Sequence, residues 1–320
     1  MEKITLLDNA VGSTNKGDDI IMQCVKEELK DIICNYFTLS IPTHLCAFNT
    51  LECLGNLPDS ASEVASSKYK FVCGTNLLSG NMLHRTNQWD INILNCKPIV
   101  GSILVGVGGA PKADWYTRKL YKKVLSDKYI HSVRDKNAQK LLISLGLKCE
   151  YTGCVTMWKL TPEFCNSIPN EKHEKVVFTL TDYNRNPEKD IKMIETIKRN
   201  YKNIFFWIQG AHDLEYLKEI TDIKNISIIQ PDIKEYSNIL NDSIDYIGTR
   251  LHAGIFAMRH KVRSIIIRVD SRMDVMSECI PNNTISRMNM EKLDNMINNS
   301  IETKCNINFN AIERWKQQFE

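Results

Sequence analysis

Apolar residues along this chain alternate between short unbroken runs and stretches of helical spacing, and that alternation predicts its elements. Lys3–Leu7 reads as a strand. A polar loop to Asp18 follows, then a helix from Asp19 to about Ile33 with Ile20, Ile21, Cys24, Val25, Leu29 and Ile32 on one face. Further strands are expected near 36–39, 69–73, 98–107, 129–133 and 149–151, with helices at 115–125 and 136–145, the second stopped by Gly146. Thr161–Lys175 is polar, contains two prolines and lacks any period, so it reads as a linker. The pattern then restarts. Strands are expected at 176–180, 204–208, 226–229, 246–247 and 264–269, interleaved with helices at 190–198, 213–220, 233–240 and 253–259, and a last helix runs over 311–319.

Strands alternating with helices predict parallel βαβ units. The expected class is α/β: two doubly wound, Rossmann-like parallel-sheet domains facing across a cleft, a GT-B-like architecture. The boundaries are an N-terminal domain over 1–160, a linker over 161–175 and a C-terminal domain over 176–320, whose last helix packs back on the first domain. Ligands in such sheets bind beyond the carboxyl ends of the strands.

Composition narrows the picture. With 43 % hydrophobic and 25 % charged residues the chain is globular rather than disordered. A net charge of +3 over 320 residues argues against a dedicated nucleic-acid binder but leaves room for a local basic pocket. The first apolar run is too short for a signal peptide and no segment approaches a membrane span, so a soluble protein is expected. The 11 cysteines sit mostly in apolar runs, with neither a C-x-x-C nor a Cys/His cluster of zinc spacing. A reduced, cytoplasmic enzyme without a metal or other cofactor is the expectation.

The candidate chemistry lies in loops after strands. In Gly248-Thr-Arg250-Leu-His252-Ala, a strand breaks at a glycine and places Arg250 and His252 at the mouth of an apolar helix. Free backbone N–H groups, a guanidinium and an imidazole together suit an anion that must receive a proton. Gly12-Ser-Thr-Asn15-Lys16-Gly17-Asp18 follows the first strand, but is neither G-x-G-x-x-G nor a Walker A loop. Gly106-Val-Gly108-Gly109 and Gly74-Thr75-Asn76 are structural turns or ligand loops in equal measure. In Ser132-Val-Arg134-Asp135 the acid suits a helix cap and the arginine a cleft. Gln209, His212 and Asp213 follow a second-domain strand, where Asp213 either lines the cleft or caps the next helix.

The order of Asn15-x-Gly17-Asp18, Ser132-Val-Arg134-Asp135 and Gly248-Thr-Arg250-Leu-His252-Ala resembles the polysaccharide pyruvyl transferase family over residues 4–275. The resemblance implies transfer of the enolpyruvyl unit of phosphoenolpyruvate to a sugar, with a pyruvate ketal formed and phosphate released. It implies Arg134 and Arg250 on the donor's carboxylate and phosphate, His252 as general acid, and Asn15 and Asp18 on the acceptor side, where Asp18 is the candidate base. Gly17, Gly108, Gln209 and Arg272 complete the expected substrate-binding set. The implied partners are phosphoenolpyruvate and a sugar or lipid-linked glycan of surface polysaccharide, with peripheral attachment to membrane-bound glycan assembly. The chain departs from the family pattern at Cys154 and at Thr181, where Arg185 is a substitute for a missing arginine. The alternative is a GT-B glycosyltransferase with a nucleotide-sugar donor, Arg250 on the diphosphate and His252 as base.

Overall fold

A computed structural model describes residues 1–83 and 88–319. The chain divides into two compact units, residues 1–13, 21–158 and 307–320 in the first, and 14–20 with 159–306 in the second. The segment 161–175 groups with the second unit, where it forms a short helix, Pro162–Cys165, and buries Cys165 and Ile168.

In the first unit, β1 (Lys3–Asp8), β2 (Phe37–Pro42), β3 (Tyr69–Cys73) and β4 (Ile103–Val105) form a parallel sheet in the order β2-β1-β3-β4. All five residues of β3 are buried, as expected of a parallel strand covered on both faces. The long strand expected over 98–107 is instead a single 3₁₀ turn, Lys97–Ile99, followed by the three residues of β4. The physical reason is backbone handedness: Gly101 (φ 84°) and Gly106 (φ 61°) are left-handed and stop extended pairing on either side. β5 (His131–Val133) and β6 (Cys149–Tyr151) pair with each other.

Side chains do much of the joining between β4 and β5. Ser132 Oγ accepts the Gly106 N–H at 2.9 Å. His131 Nδ1 lies 3.2 Å from the Leu104 amide, and its Nε2 lies 2.8 Å from the Ser126 carbonyl. An amide can only donate and a carbonyl only accept, so this buried imidazole is neutral with its proton on Nε2. Burial holds it well below the usual histidine range, at about 4. The helix Phe309–Gln317 belongs to this unit. Its Trp315 packs on Phe71 and Trp158, and Phe319 on Tyr69 and Phe71. The Gln318 amide both accepts from the Ile130 N–H and donates to its carbonyl, at 2.7 and 3.0 Å.

The second unit holds a six-stranded parallel sheet: β7 (Lys175–Thr179), β8 (Asn203–Trp207), β9 (Ser227–Ile229), β10 (Ile244–Gly248), β11 (Ser264–Arg268) and β12 (Thr284–Ser286). Its order is β12-β11-β10-β7-β8-β9. Counted within the unit this is the 3-2-1-4-5-6 order of a Rossmann sheet, which reverses direction between β7 and β10, the place beyond whose strand ends such sheets bind ligands. Val176, Phe178, Ile247, Ile265 and Ile267 from the sheet pack with Met193, Ile194 and Ile197 of the helix Pro187–Asn200.

At the amino ends of these strands, the buried Asp245 and Arg263 pair at 3.0 Å. Tyr201 and His173 complete the aspartate's partners, and four backbone carbonyls, of Asn170, Met296, Ile297 and Asn299, complete the arginine's. Removing one member of such a pair typically costs about 3–5 kcal/mol, because the other charge is left buried. Among the described residues no helix is long and apolar enough to cross a membrane.

Candidate active site

The paired ends of β7 and β10 at this reversal point are built on a glycine and a ring of hydroxyls. A Cβ on Gly248 would lie 2.3 Å from Thr179 Oγ1 and 2.8 Å from the Thr179 nitrogen, so only glycine lets these strand ends lie side by side. The Tyr246 hydroxyl donates to the Arg250 carbonyl at 2.7 Å. Having one proton, it must accept from Thr179 across their 2.7 Å contact, and Thr179 Oγ1 in turn accepts the Arg250 N–H at 3.4 Å. The ring fixes both backbone polar groups of Arg250. Thr249 and Thr181 exchange a second pair of hydrogen bonds beside it, at 2.9 and 3.1 Å.

Arg250 is the N-cap of the helix Leu251–Arg259, which begins two residues earlier than its apolar pattern predicts. His252 is therefore the helix's second residue, half-buried, in the turn whose N–H groups have no partner within the helix. Arg250's side chain makes no cap hydrogen bond and instead turns to Asp213 and Asp182, 4 % exposed.

Its Nε donates to Asp213 Oδ2 at 3.1 Å and to the Leu180 carbonyl at 3.3 Å. Its Nη2 donates to Asp182 Oδ1 at 2.8 Å and makes a close contact with Asp213 Oδ1. The Tyr183 ring lies 5.2 Å from the guanidinium carbon. Asp213 is fully buried and also accepts the N–H groups of Gly210 (2.7 Å) and Asp182 (3.2 Å). Burial pushes its carboxyl up, and the guanidinium pulls it back only in part. For Arg250 burial works to lower the pKa, but the charge and hydrogen bonds of Asp213 outweigh it and raise the value. The bidentate geometry is that of an ionised pair.

The guanidinium is thus not an open two-pronged clamp, because its Nε–Nη2 edge is held by protein carboxylates. Among the described residues Nη1 has no hydrogen-bond partner, and it is not one of the nitrogens sealed from solvent.

The N-terminal loop joins this unit through its residues 14–20. Asn15 bridges Gly210 in antiparallel fashion, Lys16 N–H donates to the Gln209 carbonyl (2.9 Å), and Ala211 N–H to the Thr14 carbonyl (3.1 Å). Asn15 Oδ1 accepts from Gln209 Nε2 at 2.8 Å and from the Gly17 N–H at 3.0 Å. Among the described residues Gln209 Oε1 is a buried acceptor with no partner. Gly210 sits directly against Arg250: a Cβ there would be 2.2 Å from Nη2. One unit therefore gathers Asn15, Gly17, Gln209 and Arg250, with Asp18 buried in the first turn of the helix Lys16–Glu28.

Arg134 and Gly108 belong to the first unit. Arg134 Nη2 donates to Asn76 Oδ1 at 2.6 Å, and Asp135 caps the helix Lys136–Leu145 while accepting the Gly109 N–H. A Cβ on Gly108 would lie 2.5 Å from Arg134 Nε, so the glycine makes room for that side chain. Arg185 is engaged with Glu219 at 2.8 Å and lies over the Tyr216 ring, and His212 is exposed beside Glu215. The side chain of Arg272 lies outside the described residues.

A family model described as polysaccharide pyruvyl transferase matches residues 15–271, from the asparagine that pairs with Gln209 to just past β11. The chain belongs to the polysaccharide pyruvyl transferase family. A comparison with curated proteins finds no significant match. In this pyruvyl transferase family member the matched region contains Arg134, Arg250 and His252.

The family pattern did not flag Asp182 or Tyr183, and Asp213 was read only as a cap or a crevice residue. The available signal was an acid in the loop after β7 and another opening the helix after β8. Cys154 is buried and accepts a hydrogen bond from Thr156, and Thr181 is bound into the threonine pair.

Proposed function

We propose that this protein transfers the enolpyruvyl unit of phosphoenolpyruvate to two hydroxyls of a sugar in a surface polysaccharide or its precursor, releasing phosphate and closing a pyruvate ketal. The observation that carries the proposal is Arg250 at the sheet's reversal point, with one arm unengaged and His252 two residues on in the first helical turn.

In this reading Arg250 Nη1 and the N–H groups of that turn take an anionic oxygen of the donor. Protonated His252 delivers its proton to the methylene carbon, leaving positive charge at the adjacent carbon, stabilised by the attached oxygen. A sugar hydroxyl adds there and loses its proton to a base, for which Asp18 is the candidate. Phosphate departs with its bonding pair, and the second hydroxyl adds and loses its proton to close the ring. The sum is balanced: one phosphoenolpyruvate and one diol give one ketal and one phosphate. The family pattern adds Arg134 as a further cation for the donor. No cofactor enters the proposal.

The test is donor choice. Phosphoenolpyruvate at about 100 times its Kd should add about 2.7 kcal/mol of stability, a rise in Tm of roughly 5–10 °C. It should also yield phosphate when a diol-bearing glycan is supplied. Stabilisation by uridine or cytidine nucleotides in its place would replace this reading with nucleotide-sugar glycosyl transfer.

A further inference from the structure

In the first unit, the helix Trp115–Val124 carries Arg118, Lys119, Lys122 and Lys123 and no acidic residue. Thr117, Leu120, Tyr121 and Val124 form its buried side. The opposite side leaves Trp115 74 % exposed, with Lys119 and Lys122 one and two turns further along the same stripe.

Two segments bonded to this helix add exposed aliphatic surface. Residues 81–83 are tied to the helix's first turn by the Met82 N–H, which donates to Thr117 Oγ1 at 2.8 Å, and they present Leu83 at 59 % exposure. Residues 92–94 run along the helix. The Ile93 N–H meets the Tyr116 hydroxyl at 3.2 Å and its carbonyl accepts from Lys123 at 3.0 Å, which leaves Leu94 48 % exposed. The acid that opens the helix, Asp114, is used as its N-cap.

We infer that this face docks on an anionic lipid bilayer. Lysines lay their methylene stems on apolar surface and hold their charge at headgroup level, while exposed tryptophan and leucine side chains sit at the acyl boundary. The charge complementarity favours this occupant, since each basic residue near an anionic membrane strengthens binding about fivefold. A nucleic acid would use the lysines and the indole but leave both leucines in water. The inference concerns where the protein works and stands apart from the donor chemistry.

The experiment is flotation of the full chain with vesicles of phosphatidylcholine alone and of phosphatidylcholine mixed with phosphatidylglycerol, at low and raised salt. Wild-type protein should float with the mixed vesicles, less so as salt rises, and at least tenfold more weakly with phosphatidylcholine alone. The double variant Lys119→Glu/Lys122→Glu, and separately Trp115→Ser, should bind the mixed vesicles at least tenfold more weakly with an unchanged circular dichroism spectrum. Equal flotation of wild type and variants, or no preference for the anionic vesicles, overturns the inference. So does a wild-type dimer that ignores vesicles and that Trp115→Ser dissociates, since the face would then be a contact between copies.

Discussion

Arg250 carries one positive charge and touches two carboxylates, Asp182 and Asp213, so the cluster is −1 before any ligand arrives. Phosphoenolpyruvate brings further negative charge, and on the proposed function both acids repel it. Asp213 is fully buried, with both oxygens committed to Arg250 and to backbone N–H groups. Asp182 is 21 % exposed and meets the guanidinium at Nη2 alone, which makes it the acid whose charge can be removed with the least disturbance. Asp182→Asn keeps the shape and the acceptor oxygen but removes the charge.

An anion on Nη1 would sit about 5 Å from the Asp182 carboxylate, a repulsion of about 1–3 kcal/mol for effective dielectrics between about 20 and 80. Partial exposure of Asp182 places the effect at the low end, about 1–1.5 kcal/mol. The expected result is phosphoenolpyruvate binding about 5- to 10-fold tighter by calorimetry, with a matching fall in KM for phosphate release. Affinity that is unchanged or weaker in the variant would refute the idea that Asp182 competes with the donor. Asp213→Asn should behave oppositely, costing about 3–5 kcal/mol of stability by leaving the guanidinium buried without its counter-ion. For the same reason Arg250→Ala is a poor probe, since it strands Asp213 and mixes folding with binding.

His252→Asn should lower phosphate release by about 10²- to 10⁴-fold while the circular dichroism spectrum and Tm stay close to wild type; near-normal rates would remove the imidazole from the mechanism. Gly210→Ala places a Cβ 2.2 Å from Arg250 Nη2 and 2.9 Å from Asp213 Oδ1, so the pair must shift. Phosphoenolpyruvate affinity should fall at least tenfold, and wild-type affinity would show that the position of the guanidinium is not used. His131 titrates at about 4 in the fold against 6.5 when unperturbed. The unfolded chain therefore binds more protons between those values, and the stability His131 contributes is complete above pH 6.5 and is lost as pH falls towards 4. About 2 kcal/mol should be gone by pH 5, and His131→Gln should lack that part of the pH slope in urea unfolding; parallel slopes would contradict the buried neutral imidazole.

Most of the sheet in each unit was legible because parallel strands buried on both faces leave short apolar runs, as Phe71–Cys73 and Ile265–Ile267 do. The failures have local causes. The apolar run 98–107 looked like one strand, since hydrophobicity does not report the left-handed glycines that cut it to three residues. β12 is only Thr-Ile-Ser, too short to establish any period. The contribution of His131 and Ser132 to the link between β4 and β5 could not be read at all, because side chains that stand in for backbone bonds leave no pattern of polarity.

At the candidate site, residue types were more legible than their electrical state. A strand ending in glycine, then Arg-x-His at an apolar helix, is a local signal, and Arg250 and His252 lie where that signal places them relative to β10 and its helix. The acids that neutralise Arg250 come from positions 182 and 213, after two other strands, and only strand order brings them within 3.1 Å. Strand order is a property of the whole sheet, set by which runs pair, so no window of sequence contains it. The consequence is chemical. The guanidinium that the motif places at the helix mouth is, in the fold, the centre of a −1 cluster, and on the proposed function donor affinity depends on repulsion from Asp182 at Nη2 as much as on the arginine itself.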